Sequence, residues 1–352
     1  MSVGKRIHRA MSLLLACWMA PLAVAAQEAT IAQPATVAQQ ISQRLSFVRS
    51  FSSADDVREP LHPVLDRTID IIAGPKDFVP RIDALRSPAG LTTDSNDRVF
   101  IADSGAKAVH TFDFVHSKYS LLEKGGDRLR IPIALAVDGQ DNLYVVDDSS
   151  RTILVYDSAG KFRRSLGRLS GGESYFESPA AIAIDVTTGR VYVCDSHRHM
   201  VIIMDDHGRV MSTVGKRGGG DRTGEFRLPS QVVVNGGEVF VLDAGNTRIQ
   251  ILDTAGHFLR TINLAYADHR TGLAVDKQGN AYVSDPVLNQ IQVFSREGRR
   301  LATFDPSAAG AANFSHPSAM WITAGDCLYV VDSQSNRVSL FQIRWENAKQ
   351  CR

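Results

Sequence analysis

The sequence lacks a strong net charge of either sign. Its 39 Lys and Arg residues nearly balance 38 Asp and Glu residues, so the formal net charge is +1. Three of the basic residues, Lys5, Arg6 and Arg9, fall in a predicted export signal that contains no acid, and their removal brings the net charge to −2. Proteins that bind nucleic acid through its phosphates ordinarily present a basic surface. The charge therefore argues against a nucleic-acid partner.

Cysteine is also scarce. The chain has four in 352 residues, and no pair has the Cys-x-x-Cys spacing that suggests a zinc site. Cys194 lies in a predicted core strand, where a thiol behaves as a small hydrophobic side chain. Cys327 and Cys351 can pair in an oxidising compartment, which would tie the C-terminus to the last repeat. Three cysteines remain after removal of the signal, so the odd count leaves the pairing open.

Recognisable catalytic patterns are missing as well. No Ser/His/Asp or Cys/His arrangement is visible as a triad. The stretch 216–222 contains three consecutive glycines flanked by Lys and Arg, but no Gly-Lys-Ser/Thr follows it. We therefore expect a loop between repeats there, not a phosphate site.

The first 26 residues have the order of a targeting signal. Basic residues come first, residues 11–24 are apolar, and residues 23–25 form a small-x-small cleavage site. The apolar run is too short for a transmembrane helix, so we predict no membrane span. Residues 14–17 resemble a lipobox, which makes lipid anchoring through Cys17 the alternative to soluble export. Both routes place the protein in the periplasm or outside the cell.

A repeated sequence motif runs through the remainder of the chain. It consists of an apolar strand, a polar turn that begins with aspartate, and a second apolar strand, and it occurs six times at steps of 42 to 48 residues. The repeat aspartates are Asp103, Asp147, Asp195, Asp243, Asp285 and Asp332. Each one ends a strand and is expected to accept hydrogen bonds from the backbone of its own turn, which is a structural role.

Each repeat reads as four antiparallel strands, which we label a to d. A proline opens strand a in five of the six repeats, where no ladder hydrogen bond is lost. These prolines are Pro88, Pro132, Pro179, Pro229 and Pro317. Four short strands at this period are typical of a β-propeller blade. We therefore predict an all-β, six-bladed β-propeller over residues 61–345, followed by a C-terminal tail at residues 346–352.

The two ends of the chain are predicted to meet in the last blade. The sixth repeat lacks a strand d, and residues 67–73 resemble strand d of another repeat. We expect this N-terminal strand to complete the sixth blade and close the ring. Residues 27–60, rich in Ala, Gln, Ser and Thr, are predicted to be a flexible linker with a short helix near residues 37–51.

One face of the ring is predicted to carry the function. Successive strands are antiparallel, so the d–a loops and the b–c turns emerge together on the face with the long and variable loops. The candidate binding residues are Asp148, Arg151, His197, Arg198, His199, Asn246, Arg248 and Arg337. A metal or anion contact by residues 197–199 competes with a solvated polar turn, and packing or turn bonding is the alternative for Arg248 and Arg337.

The repeat resembles the NHL repeat. The likeness rests on the strand-a proline, the Tyr-Val-x-Asp-x-x-Asn-x-Arg-Ile pattern and the glycine-rich connection at residues 215–229, and it covers residues 61–343. It implies a six-bladed propeller that binds proteins, peptides, glycans or RNA. In the peptidyl-amidating lyases, which this repeat also resembles, zinc-binding histidines follow the strand-a proline. Here those places hold Ala89, Ile133, Ala180, Ser230 and Ser318.

The sequence therefore favours an exported binding or scaffold propeller. We expect it to be a monomer without a cofactor that engages a protein, peptide or glycan through the face with the d–a and b–c loops. The alternative is a metal-dependent lyase or lactonase with Ca²⁺ or Zn²⁺ in the central channel. RNA is disfavoured by the export signal and the net charge.

Overall fold

The computed structural model describes residues 45–57, 83–122, 129–344 and 350–351. In this part of the chain, 24 strands form six antiparallel sheets of four strands each. The sheets are the blades of a ring, since strand a of each blade packs beside strand a of the next and the sixth packs beside the first. The predicted fold class, a six-bladed β-propeller, is confirmed.

The strands follow the repeat. Blade 1 contains β2 (Pro88–Thr93), β3 (Val99–Asp103), β4 (Ala108–Asp113) and β5 (Lys118–Leu122); blade 2 contains β6 (Pro132–Val137), β7 (Leu143–Asp147), β8 (Thr152–Tyr156) and β9 (Phe162–Leu166); blade 3 contains β10 (Pro179–Asp185), β11 (Arg190–Asp195), β12 (Met200–Met204) and β13 (Val210–Gly215). Blade 4 contains β14 (Pro229–Asn235), β15 (Glu238–Asp243), β16 (Arg248–Asp253) and β17 (Phe258–Asn263); blade 5 contains β18 (Leu273–Val275), β19 (Ala281–Asp285), β20 (Gln290–Phe294) and β21 (Arg300–Phe304); blade 6 contains β22 (Pro317–Ile322), β23 (Cys327–Asp332), β24 (Arg337–Ile343) and β1 (Leu45–Phe51). The helical segments among the described residues are the 3-10 turns Ala54–Asp56, Ala244–Asn246 and Pro306–Ala309.

Burial explains the composition of the strands. Every residue of β3, β7 and β8 is buried, because a blade is covered by a neighbouring blade on each face. Such strands read as continuous apolar runs rather than as alternating ones. The outer strand β13 is largely exposed, which explains why the strand-d sequences are more polar and less regular.

The core lies between blades rather than within them. Tyr192 and Cys194 of blade 3 pack against Val239 and Val241 of blade 4, and the Tyr192 hydroxyl donates to the carbonyl oxygen of Thr254 at 2.7 Å. Cys194 is a free thiol whose pKa is raised by burial, so it behaves as the small hydrophobic side chain that the sequence suggested. The same arrangement joins blade 6 to blade 1, which closes the core into a ring.

The strand that completes blade 6 is not the predicted one. β1 pairs with β24, so residues 45–51, which the sequence analysis placed in the linker and within its short helix, form the outer strand of the last blade. The predicted strand at residues 67–73 lies outside the described residues. The physical reason is aromatic anchoring: the ring of Phe47 contacts Phe341 at 5.8 Å, and the ring of Phe51 contacts Phe112 at 4.9 Å. An N-terminal strand does complete the last blade, but a different segment supplies it.

A disulfide holds the C-terminus against the same blade. Cys327, the first residue of β23, is bonded to Cys351 with a Cα–Cα distance of 5.7 Å. The backbone N–H of Cys351 also donates to the Gln342 side-chain oxygen at 2.6 Å. The sixth blade therefore carries both an N-terminal strand and a C-terminal crosslink.

Candidate functional site

Strand a of every blade lines a central channel, and a cavity opens at each end of it. The loop-side cavity, on the face of the d–a loops and b–c turns, has a volume of about 590 Å³, and its lining includes Ala180, His197, Ser230 and Arg270. The turn-side cavity, on the opposite face, has about 570 Å³ and is lined largely by aliphatic residues of the a strands. Volumes of this size suit small ligands. Only the loop-side cavity lies on the face that the sequence analysis selected.

A repeated bulge aims one residue of each proline-containing blade at this cavity. In the five blades with a strand-a proline, the proline pairs with the repeat aspartate and the register shifts immediately after it. Bulges of this kind re-aim a side chain away from the ladder. The residues that follow the prolines, and that all line the loop-side cavity, are Ala89, Ile133, Ala180, Ser230 and Ser318.

The bulged positions divide the cavity wall into two arcs. Blades 1 to 3 contribute Ala89, Ile133 and Ala180, which form an apolar arc. Blades 4 and 6 contribute Ser230 and Ser318, which form a hydroxyl arc. Ser230 is only 3% exposed, and neither Oγ atom makes a hydrogen bond with any residue in the described part of the chain. Buried hydroxyls are normally bonded, so the hydroxyl arc has spare capacity for a polar ligand.

Charged and imidazole side chains surround the opening. Asp148 and His197 come from the b–c turns of blades 2 and 3, and His269 and Arg270 come from the d–a loop before blade 5. Arg270 is held loosely by Asp268, with its Nε 3.7 Å from a carboxylate oxygen. Burial alone would raise the pKa of Asp268, but hydrogen bonds from the backbone N–H of Arg270 and from the Tyr266 hydroxyl lower this pKa below its ordinary value. Asp268 thus stays ionised and keeps Arg270 near the opening.

The repeat aspartates hold the loops that frame this face. In five blades the carboxylate accepts backbone N–H groups from the end of the preceding d–a loop, and in blades 1 to 3 it also accepts one from its own turn. These loop contacts join Asp103 to Arg86 (2.7 Å) and Ser87 (3.0 Å), Asp147 to Arg130 (2.7 Å) and Ile131 (2.9 Å), Asp195 to Glu177 (2.8 Å) and Ser178 (3.0 Å), Asp243 to Arg227 (2.6 Å), and Asp332 to His316 (2.8 Å) and Ser315 (3.1 Å). The sequence anticipated bonds to the turn and missed those to the loop.

Blade 5 departs from this pattern where its sequence does. Asp285 accepts N–H groups from Val287 (3.1 Å) and Leu288 (2.9 Å) of its own turn. Position 270 holds Arg where the other repeats have proline, and the N–H of Gly272 donates to the Ser284 hydroxyl at 2.7 Å. The d–a loop that carries His269 and Arg270 is therefore anchored differently from the other five.

Most of the candidate binding residues maintain the loops. Of the eight, Asp148 and His197 line the loop-side cavity. The Arg248 guanidinium binds the Asp243 carboxylate at 2.8 Å and the Asp221 carbonyl at 2.6 Å, which fixes the loop at residues 215–228. Arg337 does the same for the loop before blade 6, through Asp332 at 2.9 Å and the Asn313 carbonyl.

The remaining candidates also contact the polypeptide. Asn246 donates to the Gly220 carbonyl at 2.8 Å, and the Nδ1 atom of His199 accepts the N–H of Leu228 at 3.0 Å. The Arg198 guanidinium lies 4.6 Å from the Tyr175 ring centroid. Arg151 is exposed, and its carbonyl accepts the Ser174 hydroxyl at 2.5 Å. Contacts within the chain thus account for the side chains of Asn246, His199 and Arg198 without a ligand, whereas the Arg151 side chain is exposed.

Sequence reasoning missed the residues that build the cavity wall. Ser230 and Ser318 were considered only as places where histidine is absent, and His269 and Arg270 were not considered as site residues. A signal for the serines existed, because the residue after the strand-opening proline is Ser in blades 4 and 6 but Ala or Ile in blades 1 to 3. For Arg270, the signal was the loss of the proline itself.

No three His, Cys, Asp or Glu side chains lie close enough together to hold a metal ion in residues 45–57, 83–122, 129–344 and 350–351. Within the same ranges, no helix has the length and apolar character needed to cross a membrane.

Comparison with known proteins agrees on the fold. The family described as 6-bladed beta-propeller matches residues 177–292, which span blades 3 and 4 and part of blade 5. No curated protein matches the chain. The assignment to the NHL type of propeller stays a prediction.

Similar solved structures include three of low sequence identity. A protein of unknown function from Bacteroides thetaiotaomicron has a TM-score of 0.57 and 14% sequence identity, and the match covers 74% of this chain and 70% of that one. Streptogramin B lyase has a TM-score of 0.53 and 12% identity, over 74% and 84%. Kuenenia stuttgartiensis hydrazine synthase has a TM-score of 0.52 and 14% identity, over 76% and 99%. At such identities the likeness shows a shared fold alone, and the chain is a six-bladed β-propeller.

Proposed function

We propose that this protein is an exported binding propeller that takes its ligand in the loop-side cavity. The observation that carries the proposal is the pair of unbonded hydroxyls, Ser230 and Ser318, in the wall of a cavity of about 590 Å³. Leaving a buried hydroxyl unbonded costs about 1–3 kcal/mol, so a ligand that accepts a hydrogen bond from one of these serines gains affinity from a group the fold leaves unsatisfied. The ligand is a small molecule or a protruding group of a protein, peptide or glycan partner.

The frame of the cavity supports a binding role. Five d–a loops are fixed by buried carboxylates, and Arg248 and Arg337 fix two of them a second time. Because the surrounding loops are bonded before a ligand arrives, little ordering entropy opposes binding. A preorganised cavity with few polar groups is the usual form of a small-ligand site.

A fragment screen by ligand-observed NMR tests the proposal. The variant Ala180→Phe fills the loop-side cavity at a half-buried bulge position, and Val186→Phe adds the same ring at the rim of the turn-side cavity, where Val186 is 64% exposed. We expect fragments that bind the native protein to bind Val186→Phe equally and to lose about ten-fold or more affinity for Ala180→Phe. Equal loss in both variants, or no binding fragment at all, would contradict the proposal. Thermal melting of both variants controls for folding.

Export is part of the same proposal and needs its own test. The residues that suggest it, 1–26, lie outside the described part of the chain. We expect the mature protein in the periplasmic or extracellular fraction to have the intact mass of a chain cleaved after Ala25. A lipid-modified N-terminal Cys17 would support the anchored form instead, and an uncleaved chain in the cytoplasm would refute export.

The metal-dependent lyase or lactonase that the sequence left open has no observation in its favour. His197 and His269 line the same cavity, but they do not form a three-residue ligand set with any described side chain. We therefore propose no catalytic reaction.

A further inference from the structure

The hydroxyl arc consists of Ser230 of blade 4 and Ser318 of blade 6, and each Oγ has almost no accessible surface, so donation to a ligand in the loop-side cavity requires rotation of the serine side chain. Ser230 and Ser318 stand at equivalent bulged positions on either side of blade 5, and both hydroxyl protons are free of protein acceptors among the described residues. In blade 5 the equivalent residue, Thr271, is buried with its hydroxyl bonded to Asp268. A carboxylate offers two oxygens that accept such donors.

A cation lies over the same side of the cavity. Arg270 comes from blade 5, between the two serines in ring order, and 57% of its side chain is exposed. Its contact with Asp268 is made through Nε at 3.7 Å, and no hydrogen bond from its Nη groups to a described residue is present. A guanidinium offers paired N–H groups that match the two oxygens of a carboxylate. His269 of the same loop also lines the cavity.

The opposite side of the cavity sets what else the ligand can contain. Ala89, Ile133 and Ala180 of blades 1 to 3 offer an apolar wall to the body of the ligand. Asp148 belongs to blade 2, which lies directly across the ring from blade 5. Its negative charge repels a second carboxylate at that end. The arrangement thus favours one carboxylate attached to an apolar body.

We infer that the loop-side cavity is a carboxylate receptor, in which Ser230, Ser318 and Arg270 hold the carboxylate and the apolar arc holds the group attached to it. This inference rests on the proposed binding function and deepens it. Two sources supply the same chemistry: a free organic acid and the C-terminal carboxylate of a peptide or protein. The cavity recognises the end of such a ligand, and the loops around it remain free to contact the rest.

Matched acid and amide probes test the receptor directly. Titration of the native protein with hexanoate and hexanamide, and with N-acetylated alanyl-leucine as the free acid and as the C-terminal amide, measures the contribution of the charge. We expect at least one acid to bind about ten-fold more tightly than its amide. Preference for hexanoate identifies a free organic acid, and preference for the dipeptide acid identifies a peptide C-terminus.

Three variants assign the contacts. Arg270→Gln and Ser230→Ala are each expected to weaken binding of the acid by roughly five-fold or more and to leave amide binding unchanged. Arg209→Gln is the matched control, because Arg209 is 82% exposed in a c–d turn on the other face. Arg209→Gln should alter neither acid binding nor amide binding. Melting temperatures within error of the native protein show that each variant is folded.

The possible failures separate the two proposals. If fragments bind in an Ala180-dependent manner but acids and amides bind alike, the carboxylate receptor is wrong and the binding function stands. If the acids bind and neither Arg270→Gln nor Ser230→Ala weakens them, water satisfies the hydroxyls and the inference is again wrong. If nothing binds the native protein in the cavity, the binding function itself fails.

Discussion

Replacing a repeat aspartate by asparagine should cost very different amounts in two blades of the same ring. In Asp147, one carboxylate oxygen accepts the N–H groups of Arg130 and Ile131, and the other accepts that of Ser150 at 2.9 Å. In Asp285, both backbone N–H groups go to one oxygen, and the other oxygen accepts only the Gln292 side-chain amide at 3.2 Å. The two positions therefore make different demands on the second oxygen.

The magnitude follows from these contacts. Asparagine at position 147 must place its amide NH₂ against a backbone N–H whichever way it turns, and the site is completely buried. It loses at least one charge-assisted bond and leaves a buried donor unpaired, which together cost about 2–4 kcal/mol. Asparagine at position 285 can keep its carbonyl oxygen on both backbone donors, and the Gln292 amide can turn to accept, so we expect less than about 1 kcal/mol.

Guanidinium denaturation of Asp147→Asn and Asp285→Asn measures the difference. At roughly 2–4 °C per kcal/mol, the first variant should also melt about 4–16 °C lower than the native protein and the second no more than about 4 °C lower. Equal destabilisation, or a larger loss for Asp285→Asn, would refute the claim that the repeat aspartates act chiefly by holding the d–a loops.

Three further predictions concern stability. Hydrogen bonds from Arg260 and then from Arg296 outweigh the burial of Glu238 and lower its pKa from 4.5 to about 2, so the carboxylate stabilises the fold above pH 4.5 and this contribution is lost as the pH falls towards 2. Glu238→Gln should lower the free energy of unfolding by about 1–2 kcal/mol at pH 7, after allowance for solvent screening, and by much less at pH 2.5. A loss that does not depend on pH would contradict the assignment of the lowered pKa to these ion pairs. Phe51→Ala should lower the free energy of unfolding by about 3–5 kcal/mol, because Phe51 is 2% exposed and packs against Phe112. Phe258→Ala, in the outer strand β17 where Phe258 is 37% exposed, should lower it by less than about 1 kcal/mol. Similar losses in the two variants would argue against closure of the ring by β1. Cys351→Ser removes a disulfide between residues 24 apart in sequence and should lower the free energy of unfolding by about 3 kcal/mol. Denaturation of this variant and of the reduced native protein measures the loss. An unchanged midpoint in both samples would show that the disulfide does not stabilise blade 6.

The sequence predicts the ring well because the blade is a local unit with a strong period. Buried b and c strands, a proline at the start of strand a and an aspartate at the end of strand b recur in register, and the six predicted repeats correspond to the six blades. Closure depends on a contact between the two ends of the chain, about 290 residues apart, and no local pattern specifies it. The polar composition of residues 27–60 hid the strand at residues 45–51.

The site was harder to predict for a related reason. The sequence suggested that polar residues in the b–c turns are available for a ligand. In the structure, side chains such as Arg248 and Asn246 instead donate hydrogen bonds to carbonyl oxygens of the neighbouring d–a loop. The serines of the cavity wall sit at the start of apolar strands, and only the bulge after the proline turns them toward the channel. Which polar group is left unbonded depends on packing between blades, and this information is absent from any single repeat.

The most direct test of the account is to locate the bound probe by methyl NMR. Ala180 and Leu228 line the loop-side cavity, whereas Ile184 and Ile322 line the turn-side cavity. On titration with the tightest-binding acid or fragment, the account predicts saturable shifts of the Ala180 and Leu228 methyl signals, with those of Ile184 and Ile322 unmoved. Shifts confined to Ile184 and Ile322 would place the ligand at the other end of the channel and contradict the central claim.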